Sequence, residues 1–262
     1  MSSQVQARHR SSGRNPESRT RLATLPQPHS WILWPIALAV VTLAFGFAVK
    51  LVPKIASTEF WVDQAFSRHH DVVLNAIALA LNTALAPAGI IVIVTLLFLV
   101  LLLIARSPVN AVAVCSVTVV GWLSSEAFKL VVAEPRPNVH NLSHPLIASD
   151  GSGSFPSGHT TFAVSLAIAI YFLARRTKWS KVVFISGLVF AVAVAASRLY
   201  LGVHYPSDVL GSFLVAATAV SFFTGLWNRY AVQVLNGVPF LDRLGPIPAN
   251  PAAHNTPGES GH

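Results

Sequence analysis

The sequence predicts an all-α integral membrane protein, and three features of its composition indicate this. Of 262 residues, 53% are apolar and only 11% are charged, and the mean hydropathy is +0.59. A typical soluble domain carries roughly 25% charged residues, so a soluble fold of this composition would expose unusually large apolar patches. A soluble enzyme and a disordered regulator are therefore excluded. The single cysteine, Cys115, cannot form an internal disulfide, which excludes a disulfide-stapled secreted domain.

Six apolar runs are long enough to cross a membrane as helices. About 20 helical residues span a hydrocarbon core of ~30 Å, and the predicted spans lie near residues 31–50, 86–105, 109–132, 158–174, 182–201 and 207–227. The first run exceeds a signal-peptide core and lacks a small-residue cleavage pattern, so we expect it to stay as an anchor. Pro87 divides the longer apolar stretch 72–104. Whether residues 72–85 form a separate re-entrant helix stays open.

Two polar tails flank the predicted membrane domain, which covers residues 31–230. Residues 1–30 contain five arginines together with Ser, Gly and Pro, which predicts a disordered cytoplasmic tail. Residues 231–262 carry Pro and Gly repeatedly, which predicts a second disordered tail.

The distribution of basic residues predicts the orientation, because six spans place both termini on one side. That side collects twelve of the 18 basic residues: Arg8, Arg10, Arg14, Arg19, Arg21, Arg106, Arg175, Arg176, Lys178, Lys181, Arg229 and Arg243. The opposite side holds six: Lys50, Lys54, Arg68, Lys129, Arg136 and Arg198. The positive-inside bias therefore predicts a multi-pass plasma-membrane protein with cytoplasmic termini. The basic residues cluster at the ends of apolar runs, so no nucleic-acid partner is expected despite the net charge of +8.

Three polar segments border the predicted spans, and counting spans places all three on the outer face. They are residues 129–137, which leave the third span, residues 155–160, which open the fourth, and residues 197–208, which join the fifth to the sixth. Polar groups beside membrane spans are costly, so such a cluster predicts a functional site.

The cations of these segments predict an anion site. Lys129, Arg136 and Arg198 suit a multiply charged anion, and each arginine offers bidentate donors that match phosphate oxygens. Pro156 places Ser157 and Gly158 at a helix start, where unpaired N–H groups and the helix dipole also attract an anion. Both arrangements favour phosphate.

Two histidines and one aspartate are the candidate catalytic residues. Pro206 suits the first turn of a helix, which sets His204 just before that turn and Asp208 within it. The Asp208 carboxylate can fix the tautomer of His204 and leave its other nitrogen able to attack. His159 can protonate the leaving group. No metal or other cofactor is expected. The cations would neutralise the negative charge of the phosphoryl oxygens, which in other enzymes Mg²⁺ neutralises.

The three segments match the signature K-x6-R-P, P-S-G-H and S-R-x5-H-x3-D at all eleven fixed positions. Over residues 129–208 the chain therefore resembles the type 2 phosphatidic acid phosphatase family, which includes the vanadium-dependent haloperoxidases. The resemblance implies a six-helix bundle with its catalytic site at the extracytoplasmic interface, a lipid phosphate substrate and a phosphohistidine intermediate. It implies that His204 is the nucleophile, that Asp208 orients it and that His159 is the acid. It implies that six residues bind the phosphate: Lys129, Arg136, Ser157, Gly158, Ser197 and Arg198.

Other interpretations of single residues stay open. Lys129 alone would suit an interfacial anchor, and Ser157 with Gly158 would suit a helix cap. Glu126 is expected to pair with Lys129 or with another helix. A zinc site formed by His159 with His140, His144 and Asp150 lacks tight ligand spacing.

The resemblance leaves several functions to be separated by experiment. The favoured activity is hydrolysis of a lipid phosphate, with a polyprenyl diphosphate preferred slightly over a phosphatidate-type lipid. The alternatives are a phosphotransferase with the same site, a transporter of anionic lipids and an intramembrane serine protease using Ser157. The sequence around Ser157 lacks the G-x-S-x-G motif of a nucleophile elbow, which disfavours the protease. The oligomeric state is not predictable from the sequence.

Overall fold

The computed structural model describes residues 16–148 and 153–248, and all regular structure in these ranges is helical. The α-helices are α1 (Pro16–Arg19), α2 (Leu33–Leu51), α3 (Pro53–Arg68), α4 (Val72–Ala84), α5 (Pro87–Leu99), α6 (Pro108–Val132), α7 (Gly158–Ala174), α8 (Ser180–Tyr200), α9 (Pro206–Asn236) and α10 (Pro239–Asp242). A π-helical segment, Val100–Ile104, continues α5, and short 3-10 helices cover Arg21–Ala23 and Val139–Asn141. The predicted all-α membrane fold is confirmed.

Five of these helices are long and apolar enough to cross a membrane: α2, α5 with its π-helical end, α6, α8 and α9. The shorter helix α7 has 17 residues, which at about 1.5 Å per residue reaches the lower limit for a span. Together they correspond to the six predicted spans. Helices α6 and α9 are the most buried of the long spans, and α7 packs against α6, α8 and α9.

Apolar side chains on the outer helices face away from the bundle. On α8, for example, Phe184, Ile185 and Val189 are all more than half exposed. In water such a surface would be unfavourable, whereas in a bilayer these side chains contact lipid tails.

Residues 72–84 form a helix of their own, separate from α5. Asp71 caps α4, because its Oδ1 accepts hydrogen bonds from the backbone N–H groups of Val73 at 2.8 Å and Leu74 at 3.1 Å. Helix α5 then begins at Pro87, and Ala86 before it is extended, the conformation that a following proline favours. The break matters for function because it leaves Asn82 near the end of α4.

Residues 16–28, which the sequence assigns to a disordered tail, follow a defined course in the structure. Leu22 is only 1% exposed, its N–H donates to Asn110 Oδ1 at 2.9 Å, and its carbonyl accepts from Trp227 Nε1 at 2.8 Å. Leu25 is likewise held by Asn228. These partners come from α6 and α9, and composition does not show them. Disorder of residues 1–15 stays a prediction, since they lie outside the described ranges.

The other tail also begins inside the bundle. Helix α9 continues to Asn236, its Leu235 is buried, and Leu241, Leu244 and Ile247 pack against the same apolar cluster as Leu22. The packed part of the chain therefore extends beyond residue 230. Residues 249–262 lie outside the described ranges, and their disorder stays a prediction.

Candidate active site

The first polar segment begins at the end of α6. Lys129 is only 8% exposed, and its Nζ donates to Glu126 Oε1 at 2.6 Å, which confirms the predicted pair. Ala133 adopts a left-handed conformation with φ 50° and ends the helix, as residues after helix termini often do. The chain then turns, and Arg136 Nη1 comes within 3.5 Å of the Val203 carbonyl in the third segment.

The second segment is anchored by Phe155. Its ring is fully buried between α2 and α9, where Gly46 and Gly211 leave room for it: a Cβ at Gly46 would lie 2.8 Å from the ring and one at Gly211 2.2 Å. Any larger residue at these two positions would displace the ring. Phe155 therefore fixes the loop from which α7 starts.

The start of α7 lies against the two other segments. Ser157 caps the helix by accepting from Thr160, and its own N–H donates to the Asp208 carbonyl at 3.3 Å. A Cβ on Gly158 would lie 3.3 Å from Lys129 Nζ, so the absent side chain keeps the backbone close to this cation. An anion here would meet both the lysine and the N-terminus of α7.

The third segment places a buried imidazole beside a buried carboxylate. His204 is 1% exposed and Asp208 is fully buried, and His204 Nδ1 lies 3.3 Å from Asp208 Oδ2. The same oxygen accepts from the Tyr205 N–H at 2.7 Å and from Ser154 Oγ. These donors hold the carboxylate, which in turn favours a proton on Nδ1 of His204 and a lone pair on its Nε2.

Burial, followed by the charges of Arg136, Arg198 and Lys129, holds the pKa of His204 well below its usual range. All three predicted cations thus lie within Coulombic range of this imidazole. At neutral pH the ring is uncharged, which is the nucleophilic form.

Asn82 is a site residue that sequence reasoning missed. Its Oδ1 accepts from Arg198 Nη1 at 2.8 Å, and its carbonyl lies 3.2 Å from His159 Nε2. Residue 82 is distant in sequence from all three motifs. The sequence feature that could have pointed to it is the predicted helix break at Pro87. Asn82 joins the candidate acid to Arg198, one of the cations predicted to bind phosphate.

Replacing Asn82 with alanine is expected to lower kcat/KM for a lipid phosphate by about 10- to 100-fold, the range for a hydrogen bond to a charged group. Without the amide oxygen, the Arg198 guanidinium loses its held orientation. Asn75→Ala is the matched control, because Asn75 lies on the same helix and its side chain accepts from Tyr200 instead of Arg198. Equal kinetics for the two variants would contradict the role of Asn82.

Ser154 and Ser197 also differ from what the motifs indicate. Ser154 belongs to no motif, yet it is fully buried and donates to Asp208. Ser197 is a motif residue, but its hydroxyl donates to the Val194 carbonyl at 2.7 Å, and the residue lines an apolar cavity between α4 and α8. The structure does not bring its hydroxyl to the other candidate residues, and its contact with phosphate stays a prediction.

Within the described ranges, no three His, Cys, Asp or Glu side chains are grouped so that they could hold a metal ion. Asp150, one of the residues of the alternative zinc interpretation, lies outside those ranges.

Comparisons with known proteins agree with the motifs. The model of the PAP2 superfamily matches residues 110–231. The undecaprenyl-diphosphatase BcrC of Bacillus subtilis is 40% identical over 98 residues, which cover 37% of this chain and 48% of that protein. Phosphatidylglycerophosphatase B of the same organism is 38% identical over 96 residues, or 35% of this chain and 45% of the relative. The chain thus spans about half the length of these relatives.

A solved structure shares the fold. It is the crystal structure of the first transmembrane PAP2-type phosphatidylglycerolphosphate phosphatase from Bacillus subtilis, with a TM-score of 0.60 and 24% sequence identity. The match covers 76% of this chain and 96% of the other. The similarity supports the helical architecture described above.

Proposed function

Since residues 110–231 of this chain match the model of the PAP2 superfamily, we propose that the protein is an integral-membrane lipid phosphatase. The observation that carries the proposal is a buried imidazole, held by Asp208 and within Coulombic range of Lys129, Arg136 and Arg198. These groups come from three separate helix ends of a membrane bundle. Together they can bind a phosphate group and attack it.

The proposed reaction has two steps. His204 Nε2 attacks the phosphorus, the N–P bond forms, and the bond to the leaving oxygen breaks. Water then hydrolyses the phosphohistidine and releases inorganic phosphate. Lys129, Arg136, Arg198 and the N-terminus of α7 stabilise the charge on the phosphoryl oxygens, which is the main catalytic requirement of phosphoryl transfer. The scheme requires no metal.

His159 is the proposed acid for the leaving oxygen, and its Nε2 lies 3.2 Å from the carbonyl of Asn82, whose side chain accepts from Arg198. His159→Ala should lower kcat for a lipid monophosphate by about 10²–10⁴-fold, because an alkoxide is a poor leaving group. The loss should be much smaller for p-nitrophenyl phosphate, whose phenolate leaves without a proton. Equal losses on the two substrates would contradict the acid role.

A lipid diphosphate, preferably a polyprenyl diphosphate, is the proposed substrate. Similar proteins bear the names undecaprenyl-diphosphatase and phosphatidylglycerophosphatase. A cavity of about 510 Å³ lies over the loop after α6 and is lined by both polar and apolar residues, Arg136, Asn138 and His140 among them. It offers space for a head group next to a cation, while the apolar faces of the helices meet the lipid chain.

The proposed location is the plasma membrane, with cytoplasmic termini and an outward-facing site. The ends of α6 and α8 and the starts of α7 and α9, which form the site, lie at the end of the bundle away from Leu22. The twelve basic residues counted above fall on the side of the termini, and the positive-inside bias supports this orientation.

Phosphate release by the purified full chain in detergent tests the function. Undecaprenyl diphosphate should yield inorganic phosphate, and the rate should survive EDTA. Phosphatidate and phosphatidylglycerol phosphate, assayed in parallel, rank the substrate classes. Binding without release would favour a transporter, and transfer of phosphate to an added alcohol in place of release would favour a phosphotransferase; either result would contradict hydrolysis.

A further inference from the structure

A second buried carboxyl group lies behind Asp208. Glu134 is 2% exposed, and neither of its carboxyl oxygens has a hydrogen-bond donor among the described residues. Asp208 Oδ1 likewise lacks a donor within the described ranges, although Oδ2 accepts several. The two carboxyl groups are close enough to hydrogen-bond to each other. Two facing buried acceptors are unfavourable unless a proton lies between them.

The charges around Glu134 are mostly negative. Glu59 faces it from α3 and Asp208 from α9, whereas Lys50 on α2 is the cation that acts on it. Tyr205 lies near the same group, and Arg136 follows on its own segment. Lys50 Nζ donates one of its three N–H groups to the Val132 carbonyl at 2.6 Å.

Burial, then the charge of Asp208 and the hydrogen bond to it, raises the pKa of Glu134 to about 8. Asp63 on α3 is a related case: it is fully buried, and burial, followed by Asp208 and Glu59, raises its pKa to about 8 as well. At neutral pH both groups are therefore mainly protonated. Glu134 differs from Asp63 in its direct contact with Asp208.

We propose that Glu134 is a positioning residue that stays protonated in the working enzyme and donates a hydrogen bond to Asp208 Oδ1. This inference rests on the proposed phosphatase function. The bond completes the set of donors on Asp208 and fixes the plane of its carboxylate, which keeps the proton of His204 on Nδ1. When Glu134 ionises, the donor is lost and two carboxylates repel each other, so the imidazole loses its orientation.

The pH dependence of kcat, measured with farnesyl diphosphate in detergent, tests the role. The wild-type rate should fall on the basic side near pH 8, by about tenfold for each further pH unit once the proton is lost. In Glu134→Gln the amide donates without titrating, so kcat near pH 6.5 should stay within about threefold of wild type. The basic limb of the pH profile of this variant should shift to higher pH by about one unit or more. Glu134→Ala should be slow at every pH.

Thermal stability provides a readout that does not depend on activity. The pKa of Glu134 is higher in the folded chain than its ordinary value of 4.5, so its contribution to stability is complete below that value and is lost as pH rises to about 8. The Tm of Glu134→Gln should therefore fall less between pH 5 and pH 8 than the Tm of wild type. Asp71→Asn, at the cap of α4 and outside this cluster, should follow the wild-type pH dependence.

Three outcomes are distinguishable. An active wild type and a Glu134→Gln variant that share the same basic limb would leave the phosphatase function intact and remove the role of Glu134. A basic limb that moves in Asp63→Asn but not in Glu134→Gln would assign the titration to Asp63 and also overturn the proposal. A wild type that releases no phosphate at any pH would instead refute the proposed function.

Discussion

Replacing His204 with alanine will abolish turnover while leaving lipid phosphate affinity within a few-fold of wild type. We expect kcat to fall by at least about 10⁴-fold, because loss of a nucleophile removes the covalent route altogether. Affinity should persist because Lys129, Arg136 and Arg198 are the residues proposed to hold the phosphate. The variant thus separates binding from chemistry.

The same substitution has a direct chemical test. Denaturation of wild type in alkaline detergent, in which the N–P bond is stable, after incubation with ³²P-labelled substrate should yield phosphohistidine at residue 204, and His204→Ala should trap no label. His69→Ala is a suitable control. His69 directly follows α3, and its imidazole bonds to the carbonyl of Ala65 in that helix. Normal turnover in His204→Ala, or label on another residue, would refute the nucleophile assignment.

Replacing Arg198 with lysine is the second large expected effect, although it conserves charge. Arg198 is 4% exposed, and its Nη1 is committed to Asn82 Oδ1 at 2.8 Å. The planar guanidinium can hold the asparagine and still present other N–H groups to phosphate. A lysine carries its three N–H groups on one nitrogen and lacks the planar fork, so it cannot make a bidentate contact with phosphate while it holds the asparagine. We expect kcat/KM to fall by about 10²-fold, comparable to the loss of one oxyanion donor.

Steady-state kinetics on a lipid diphosphate will measure this loss. Arg68→Lys provides the matched exchange, because Arg68 ends α3 and belongs to none of the motifs. It should leave kcat/KM near the wild-type value. If Arg198→Lys also behaves like wild type, charge alone is sufficient and the argument from the guanidinium geometry is wrong.

Much of the architecture was predictable because the bilayer imposes simple rules. A span needs about 20 apolar residues, and α2, α5, α6, α8 and α9 follow from run length alone. The motifs were predictable because they lie at helix ends. Pro156 and Pro206 suit helix starts, and the α7 and α9 helices begin directly after Ser157 and Tyr205.

Pairing within one helix was also accessible from the sequence. Glu126 and Lys129 are three residues apart, which places them on one helical face, and the structure shows their hydrogen bond. Asp208 lies four residues after His204 across a helix start, and this spacing likewise brings the carboxylate to the imidazole. Local geometry decides such contacts.

Contacts between distant segments could not be predicted in this way. Asn82, Ser154 and Glu134 lie outside the fixed motif positions, yet they contact Arg198 or Asp208. Leu22 lies in a segment whose composition is typical of a polar tail, yet its backbone is hydrogen-bonded to Asn110 and Trp227.

The sequence by itself determined the membrane class, the spans and the three groups of candidate site residues, because these depend on length, periodicity and local spacing. Only the tertiary structure decided which side chains surround those residues and which carboxyl groups are buried together. The reason is physical: burial and proximity set hydrogen bonding and pKa, and both depend on helices that meet in space rather than along the chain.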